Sequence, residues 1–189
     1  MIDLTSAKVN KRIPKNRFKT ELSDIDTVTW LYKISPDTAG FRHGDEITEI
    51  QIFAAVFKSG AANKCELSAI QKAIPYPILF TAHGKSYFTL EGELFESEKE
   101  FLRSDTLNIE RRSAKLTELY EDIAEAFIPI QRRTAENIAD YVVRYKRLSA
   151  IERNIARLQS KVDNEKQPNK RIELNEELKQ LKAEREELS

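Results

Sequence analysis

Residues 47–58 read ITEIQIFAAVFK, and this stretch decides the fold. In an extended chain Ile50, Ile52, Ala54 and Val56 share one side, while Gln51, Phe53, Ala55 and Phe57 share the other. Both sides are largely apolar, so the strand belongs in the middle of a sheet with both faces covered. Upstream, TVTWLYKI at residues 27–34 is β-branched and aromatic, and predicts a second strand. Its Val28, Trp30, Tyr32 and Ile34 alternate onto one face, and Ser35-Pro36-Asp37 closes it with turn chemistry. Downstream, Leu67, Ile70 and Ile74 mark the buried stripe of a short helix over 66–74, which Pro75-Tyr76-Pro77 stops. Strands follow at 78–82 and 86–90, joined by a tight turn at His83-Gly84-Lys85, with an edge strand near 93–95. The expected domain, residues 23–130, is α+β: a small, mostly antiparallel sheet with a packed helix in the order β-β-α-β-β.

Past Ala114 the apolar period becomes helical. Leu116, Leu119, Tyr120, Ile123 and Phe127 form one stripe, which Pro129 ends. A long helix from Thr134 carries Tyr141, Leu148, Ile151, Ile155, Leu158 and Val162 on a seven-residue pattern that Arg144 interrupts once. After Gln167-Pro168-Asn169, Leu174, Leu178, Leu181 and Leu188 mark another stripe, with Arg185 in the remaining seam position. Neither stripe is stable alone in water, so residues 131–189 should fold back as an antiparallel, coiled-coil-like hairpin. The alternative is a straight or swapped coiled coil, and with it a homodimer.

Composition bounds the function. Charged residues make up 33% of the 189, yet 31 basic side chains balance 31 acidic ones, so only a local patch could hold a polyanion. That patch is residues 1–22, read as a basic arm in which Lys8, Lys11, Arg12, Lys15, Arg17 and Lys19 fall in a stretch, residues 4–20, with no acidic residue. A short helix over about 15–22 would place Phe18 and Leu22 on one face. One cysteine, Cys65, excludes an intramolecular disulfide, and with only His43 and His83 no closed Cys/His zinc site can form. No apolar run approaches the roughly 20 residues of a membrane span, and Met1-Ile2-Asp3-Leu4-Thr5 lacks the order of a secretory leader. Cytoplasm is the expectation.

Chemistry is hard to place. The five glycines form no phosphate-cradling motif, and neither histidine sits near a recognisable nucleophile. The one enzymatic candidate is a divergent metal-dependent nuclease, with Asp45, Glu49, Gln51 and Lys58 along the 47–58 strand and its approach. The strand-borne Glu-x-Lys pair of such sites is missing, because the only one in the chain is Glu177–Lys179. No metal or other cofactor is expected. Tyr32, Lys33 and Pro36 end one strand and Tyr76 opens another, so a meeting of those ends would make an aromatic rim for a peptide or a base.

Several segments together resemble a known family. They are Asn10-Lys11-Arg12-Ile13-Pro14-Lys15 with Phe18, then residues 30–38 (WLYKISPDT), 49–53 (EIQIF), 73–80 (AIPYPILF), and Asn169-Lys170-Arg171-Ile172-Glu173-Leu174-Asn175 in the tail. In this order and spacing they resemble a prokaryotic domain-of-unknown-function family, number 4391. Pro77 and Pro168 depart from the expected pattern, and 91–130 matches less clearly. The resemblance implies a place beside helicases and DNA methyltransferases in restriction-like or antiphage systems, and it supplies no catalytic residues. The expectation is therefore a non-catalytic adaptor that binds a helicase or methyltransferase partner and touches DNA through the arm. Its partner surface would be Tyr32, Lys33, Pro36 and Tyr76 together with Leu158, Val162, Leu174, Leu178 and Leu181 of the hairpin. The nuclease and a stand-alone coiled-coil oligomer are the alternatives.

Overall fold

The computed structural model describes residues 1–18, 20–44, 46–112 and 114–189. They fall into two compact units, Met1–Pro129 and Ile130–Ser189.

The first unit is α+β. Its elements begin with β1 (Ile2–Asp3), β2 (Lys8–Arg12), β3 (Ile25–Ile34), a single turn α1 (Pro36–Ala39), β4 (Ile50–Phe57) and α2 (Lys64–Lys72). There follow β5 (Ile78–Ala82), β6 (Lys85–Leu90), β7 (Glu93–Ser97), β8 (Leu102–Arg103), β9 (Thr106–Leu107) and α3 (Leu116–Phe127). Six strands form the main sheet in the order β2-β3-β4-β5-β6-β7, and β1, β9 and β8 form a small second one. The apolar strand β4 lies centrally, antiparallel to β3 and parallel to β5. That parallel pairing needs a crossover, and α2 provides it.

The expected β-β-α-β-β order is β3-β4-α2-β5-β6, and β7 is an edge strand as read. The basic segment differs from its reading as an arm. Residues 8–12 are the other edge strand, β2, antiparallel to β3 with Lys8, Lys11 and Arg12 opposite Tyr32, Trp30 and Thr29. An edge strand needs hydrogen bonds on one side only, and lysines there discourage further strands from pairing. Ile2, Leu4, Ala7, Ile13 and Phe18 tie this N-terminal segment into the core. The expected helix over 15–22 shortens to a 3-10 turn, Lys15–Phe18, which buries Phe18.

One face of the sheet carries Val28, Phe53, Ala55, Phe57, Phe80 and Tyr87, with Leu67 and Ile70 of α2 packed on it. Fully burying these two α2 side chains contributes about 1.5–3 kcal/mol each. Asn63 caps α2, its side chain accepting from the amides of Cys65 and Glu66. Glu66 is itself buried and accepts from the amides of Asp24 and Ile25 at 2.8 Å each. Burial alone would raise its pKa, yet these N–H donors and the Ser23 hydroxyl hold it below the ordinary value. On the opposite face Phe88 meets the rings of Tyr120 and Phe127 from α3. Between β5 and β6, His83 (φ 49°) and Gly84 (φ 75°) are both left-handed, as a two-residue hairpin turn of primed type requires.

The second unit is a helical hairpin. Its helices are α4 (Ile138–Asn164) and α5 (Pro168–Leu188), and they pack on each other. They run antiparallel, since Arg147 near the start of α4 pairs with Glu184 near the end of α5. Helix α4 begins later than the expected Thr134 because Asn137 caps it, accepting from the Asp140 amide at 2.8 Å. Pro168 fits its position: it stands in the first turn of α5, where no backbone donor is needed. Leu148, Ile151, Leu158, Val162 and Leu178 are buried in the seam. Arg144, read as a break in the pattern, is 6% exposed and is the seam's polar anchor. It forks onto Glu136 with Nε–Oε1 at 2.7 Å and Nη2–Oε2 at 2.9 Å. It also donates to the carbonyls of Leu188 at 2.8 Å and Gln131 at 2.7 Å.

Candidate functional site

The site is built on β2, β3 and the start of β4. The register of β3 slips between Trp30 and Tyr32: Trp30 stands opposite Phe53, but Tyr32 opposite Ile52. Phe53 and Ile52 are neighbours on one strand and face opposite ways, so the bulge turns Trp30 and Tyr32 to different faces. Trp30 and Tyr32 were expected to share a face; the extra residue, Leu31, is what separates them. The same slip puts Lys33, opposite Gln51, on the face of Trp30 and Phe53.

That face holds a cleft of about 260 Å³, lined by Ile13, Arg17, Phe18, Trp30, Gln51, Phe53, Ala73, Ile74 and Tyr76. Trp30 stacks on Phe53 with ring centroids 6.1 Å apart and planes 3° from parallel. Its indole N–H donates to the Tyr32 carbonyl at 2.9 Å, which fixes the ring. Gln51 and Glu49 are both buried, and the Gln51 amide donates to the Glu49 carboxylate. Lys33 meets the same carboxylate at 2.9 Å, and that bond raises the lysine pKa. Glu49, Gln51 and Lys33 are therefore one cluster with its charges matched.

Of the nuclease candidates among the described residues, only Glu49 and Gln51 come together. Lys58 follows the far end of β4 and donates to the Ser23 carbonyl at 2.6 Å. Seven residues separate it from Gln51, about 23 Å along a strand. An alternating strand can align side chains on a face but cannot bring its two ends to one ion. Asp45 lies outside the described residues. Among the described residues no group of three or more His, Cys, Asp or Glu could hold a metal ion. His43 pairs with Asp37 at 3.5 Å on the surface, and His83 Nε2 accepts from the Phe57 amide. Cys65 is exposed.

The cations line the edge beside this cleft. Lys11, Arg12 and Arg17 are exposed, and Lys11 stands opposite Trp30 in the β2–β3 ladder. Lys8 pairs with Asp105 at 3.0 Å, and Lys15 donates to the Ile25 carbonyl at 2.8 Å. Lys19 lies outside the described residues.

The rim expected from Tyr32, Lys33, Pro36 and Tyr76 forms only in part. Tyr76 lines the cleft and Lys33 joins the cluster beside it. Pro36 opens α1. Tyr32 is buried, its hydroxyl donating to Asp105 at 2.6 Å. Burial, aided by that carboxylate, pushes its pKa up to about 12. In the hairpin Leu158, Val162 and Leu178 are buried, and Leu174 and Leu181 are half-buried along the same seam. These five leave little apolar surface for a second protein; the hairpin's exposed face is mostly charged, with Val143 and Ile172 as its exposed large apolar side chains. Trp30 was missing from the expected site, and an aromatic at the strand's centre was its only sequence signal; Arg17, expected in the basic arm, lines the cleft.

No helix among the described residues is long and apolar enough to cross a membrane. Neither the curated proteins nor the solved structures contain a match to this chain. A family model does match residues 5–184, nearly the whole length, so the chain belongs to the family described as a domain of unknown function, DUF4391.

Proposed function

We propose that the chain is a non-catalytic accessory protein of a prokaryotic DNA-processing or restriction-like antiphage system. It docks a helicase or DNA methyltransferase subunit and touches DNA through its cationic edge. The observation that carries this reading is the cationic edge at the Trp30–Tyr76 cleft: Arg17 lines the cleft, and Lys11 and Arg12 are exposed on the edge strand beside it. Cations beside exposed ring surface suit a phosphate backbone and its bases without reading sequence. The neutralised Glu49 adds support, because a carboxylate already satisfied by Lys33 and Gln51 is poorly placed to recruit a catalytic metal. The hairpin adds a separate 60-residue unit whose exposed face, rich in both charge signs, suits a charged partner surface rather than an apolar one.

The test is DNA binding by the pure protein across a salt series. Weak, sequence-independent binding is expected, fading between low and physiological salt. Changing Lys11, Arg12 and Arg17 together to alanine should flatten the salt slope by about 0.7–0.9 per lost phosphate contact. Absence of binding at low salt, or an unchanged slope in that variant, refutes the DNA contact. Magnesium- or manganese-dependent cleavage that disappears in Glu49→Ala would establish the nuclease instead. For the docking half, affinity purification from the native host should recover a helicase or methyltransferase; its repeated absence refutes that half.

A further inference from the structure

The Trp30–Tyr76 cleft holds one hydrogen-bonding position that the protein leaves open. Gln51 lines the cleft and is only 6% exposed. The Glu49 carboxylate can only accept, so the Gln51 amide nitrogen faces it and Oε1 is turned away. Among the described residues no donor meets that oxygen. The unpartnered side-chain atoms that are sealed from water lie elsewhere, on Gln71, Thr89 and Asp122. Gln51 Oε1 is therefore reached from outside, through the cleft that Gln51 lines. Around it the walls are aromatic and apolar: Trp30 and Tyr76, both half-buried, offer open ring surface, with Ile13, Phe18 and Ile74 beside them.

We propose that this cleft takes up one unpaired base of single-stranded DNA. The proposal rests on the cationic edge as a DNA contact and names the form of DNA that it takes. All four bases carry an N–H on the Watson–Crick edge, and in a duplex that N–H is engaged by the opposite strand. Only an unpaired base can present it to Gln51 Oε1 while laying a ring face against Trp30 or Tyr76. Any base serves, so no sequence is read. At about 260 Å³ the cleft falls below the roughly 300–1,000 Å³ of small-molecule sites, which suits a ring whose sugar and phosphate stay outside. Outside are the cations: Lys11 across from Trp30, Arg17 at the cleft, and Lys72 in an adjoining hollow of about 570 Å³ that shares Arg17, Phe18 and Ala73. Glu49 does not repel the strand, because Lys33 matches its charge.

Trp30 is the chain's single tryptophan, so its emission reports on this cleft alone. The full chain is titrated at low salt with an oligothymidylate of about ten nucleotides, a span one such site can engage. Three comparisons accompany it: an abasic strand of equal length and charge, a hairpin duplex, and a strand of N3-methylthymidine. Anisotropy of labelled DNA reads binding, and Trp30 emission with unlabelled DNA reads the cleft. Oligothymidylate should bind and quench Trp30. The abasic strand should bind at least about fivefold more weakly, the effect of losing one stacked base, and leave the emission unchanged. The duplex should also leave it unchanged. N3-methylthymidine, which keeps the ring but loses the N–H, should bind about two- to tenfold more weakly than thymidine. Ala73→Phe fills the cleft from an exposed position, and should reduce oligothymidylate binding to the abasic level with the melting temperature kept. Anisotropy without quenching, equal binding of the abasic strand, or equal quenching by the duplex overturns the proposal and leaves the edge contact standing. Unweakened binding of N3-methylthymidine overturns the role of Gln51. No anisotropy change with any DNA refutes the edge contact itself, and this proposal with it.

Discussion

Arg144 should be the residue on which the hairpin unit depends most. Its guanidinium is 6% exposed and satisfies a carboxylate, Glu136, that is 10% exposed. Arg144→Ala deletes four hydrogen bonds, leaves the Glu136 charge with the Arg133 amide, and strands the carbonyls of Gln131 and Leu188. Breaking one side of a buried pair costs about 3–5 kcal/mol. Gln131 is exposed and Leu188 half-exposed, so water can reach the stranded carbonyls and the low end, about 3 kcal/mol, is the expectation. Hydrogen exchange in the last turn of α5 and the first turns of α4 should then accelerate about 150-fold, the factor equivalent to that energy. Replacing both partners, Arg144→Met with Glu136→Gln, should recover most of the loss, because no buried charge remains unpaired. The pair also predicts a pH dependence. Arg144 holds the Glu136 pKa below its ordinary 4.5, so the pair's contribution is complete above about that pH. It declines as pH falls through the lower folded value. Less than about a fivefold change in exchange for Arg144→Ala, or a double variant no better than the single one, would refute the reasoning.

Glu66→Gln should lower the stability of the sheet unit by about 1.5–3 kcal/mol in denaturant melts, since it loses charged bonds to the Asp24 and Ile25 amides. Because the Glu66 pKa is depressed in the folded state, the gap between parent and variant should close as pH drops below the ordinary 4.5. Tyr32→Phe should cost about 1.5–3 kcal/mol, the worth of a hydrogen bond to the charged Asp105. The Tyr32 pKa is raised to about 12 in the folded state, so its contribution is complete below 10 and lost through 12; the parent should weaken faster than the variant in that window. A chain cut after Pro129 should still give a cooperative melt of the sheet unit; a non-cooperative melt would show that residues 130–189 belong to its folding unit.

The fold was legible where side-chain pattern and burial agree. The run in β4 is apolar on both faces because it lies between two helix-covered layers, and the stripes of α4 and α5 match because each buries the other. Strand β2 escaped because its cations project into water and its hydrogen bonds are backbone groups, which carry no sequence signature. The bulge at Leu31 escaped for a related reason: alternation fixes which residues share a face only while the register is unbroken. One inserted residue therefore moved Tyr32 out of the candidate site and Lys33 into it. Arg144 was visible as an anomaly in the heptads, but its partner Glu136 lies before α4 begins, outside any pattern a helix imposes.

The single parallel pairing, between β4 and β5, has a kinetic meaning. On each side of it the sheet is an antiparallel run of strands adjacent in sequence, β2-β3-β4 and β5-β6-β7. The β5–β6 and β6–β7 hairpins close across short turns, and β3 and β4 across the 35–49 connection. Only the junction Gln51–Ala54 against Ile78–Thr81 must wait for a whole crossover to be laid down. The two runs should therefore form early and join late, along a line marked by Phe53 against Phe80 with centroids 6.1 Å apart. Until it closes, two apolar strands destined for the middle of the sheet remain bare edges. This is the interval in which a newly made chain is most exposed to mispairing with another copy of itself.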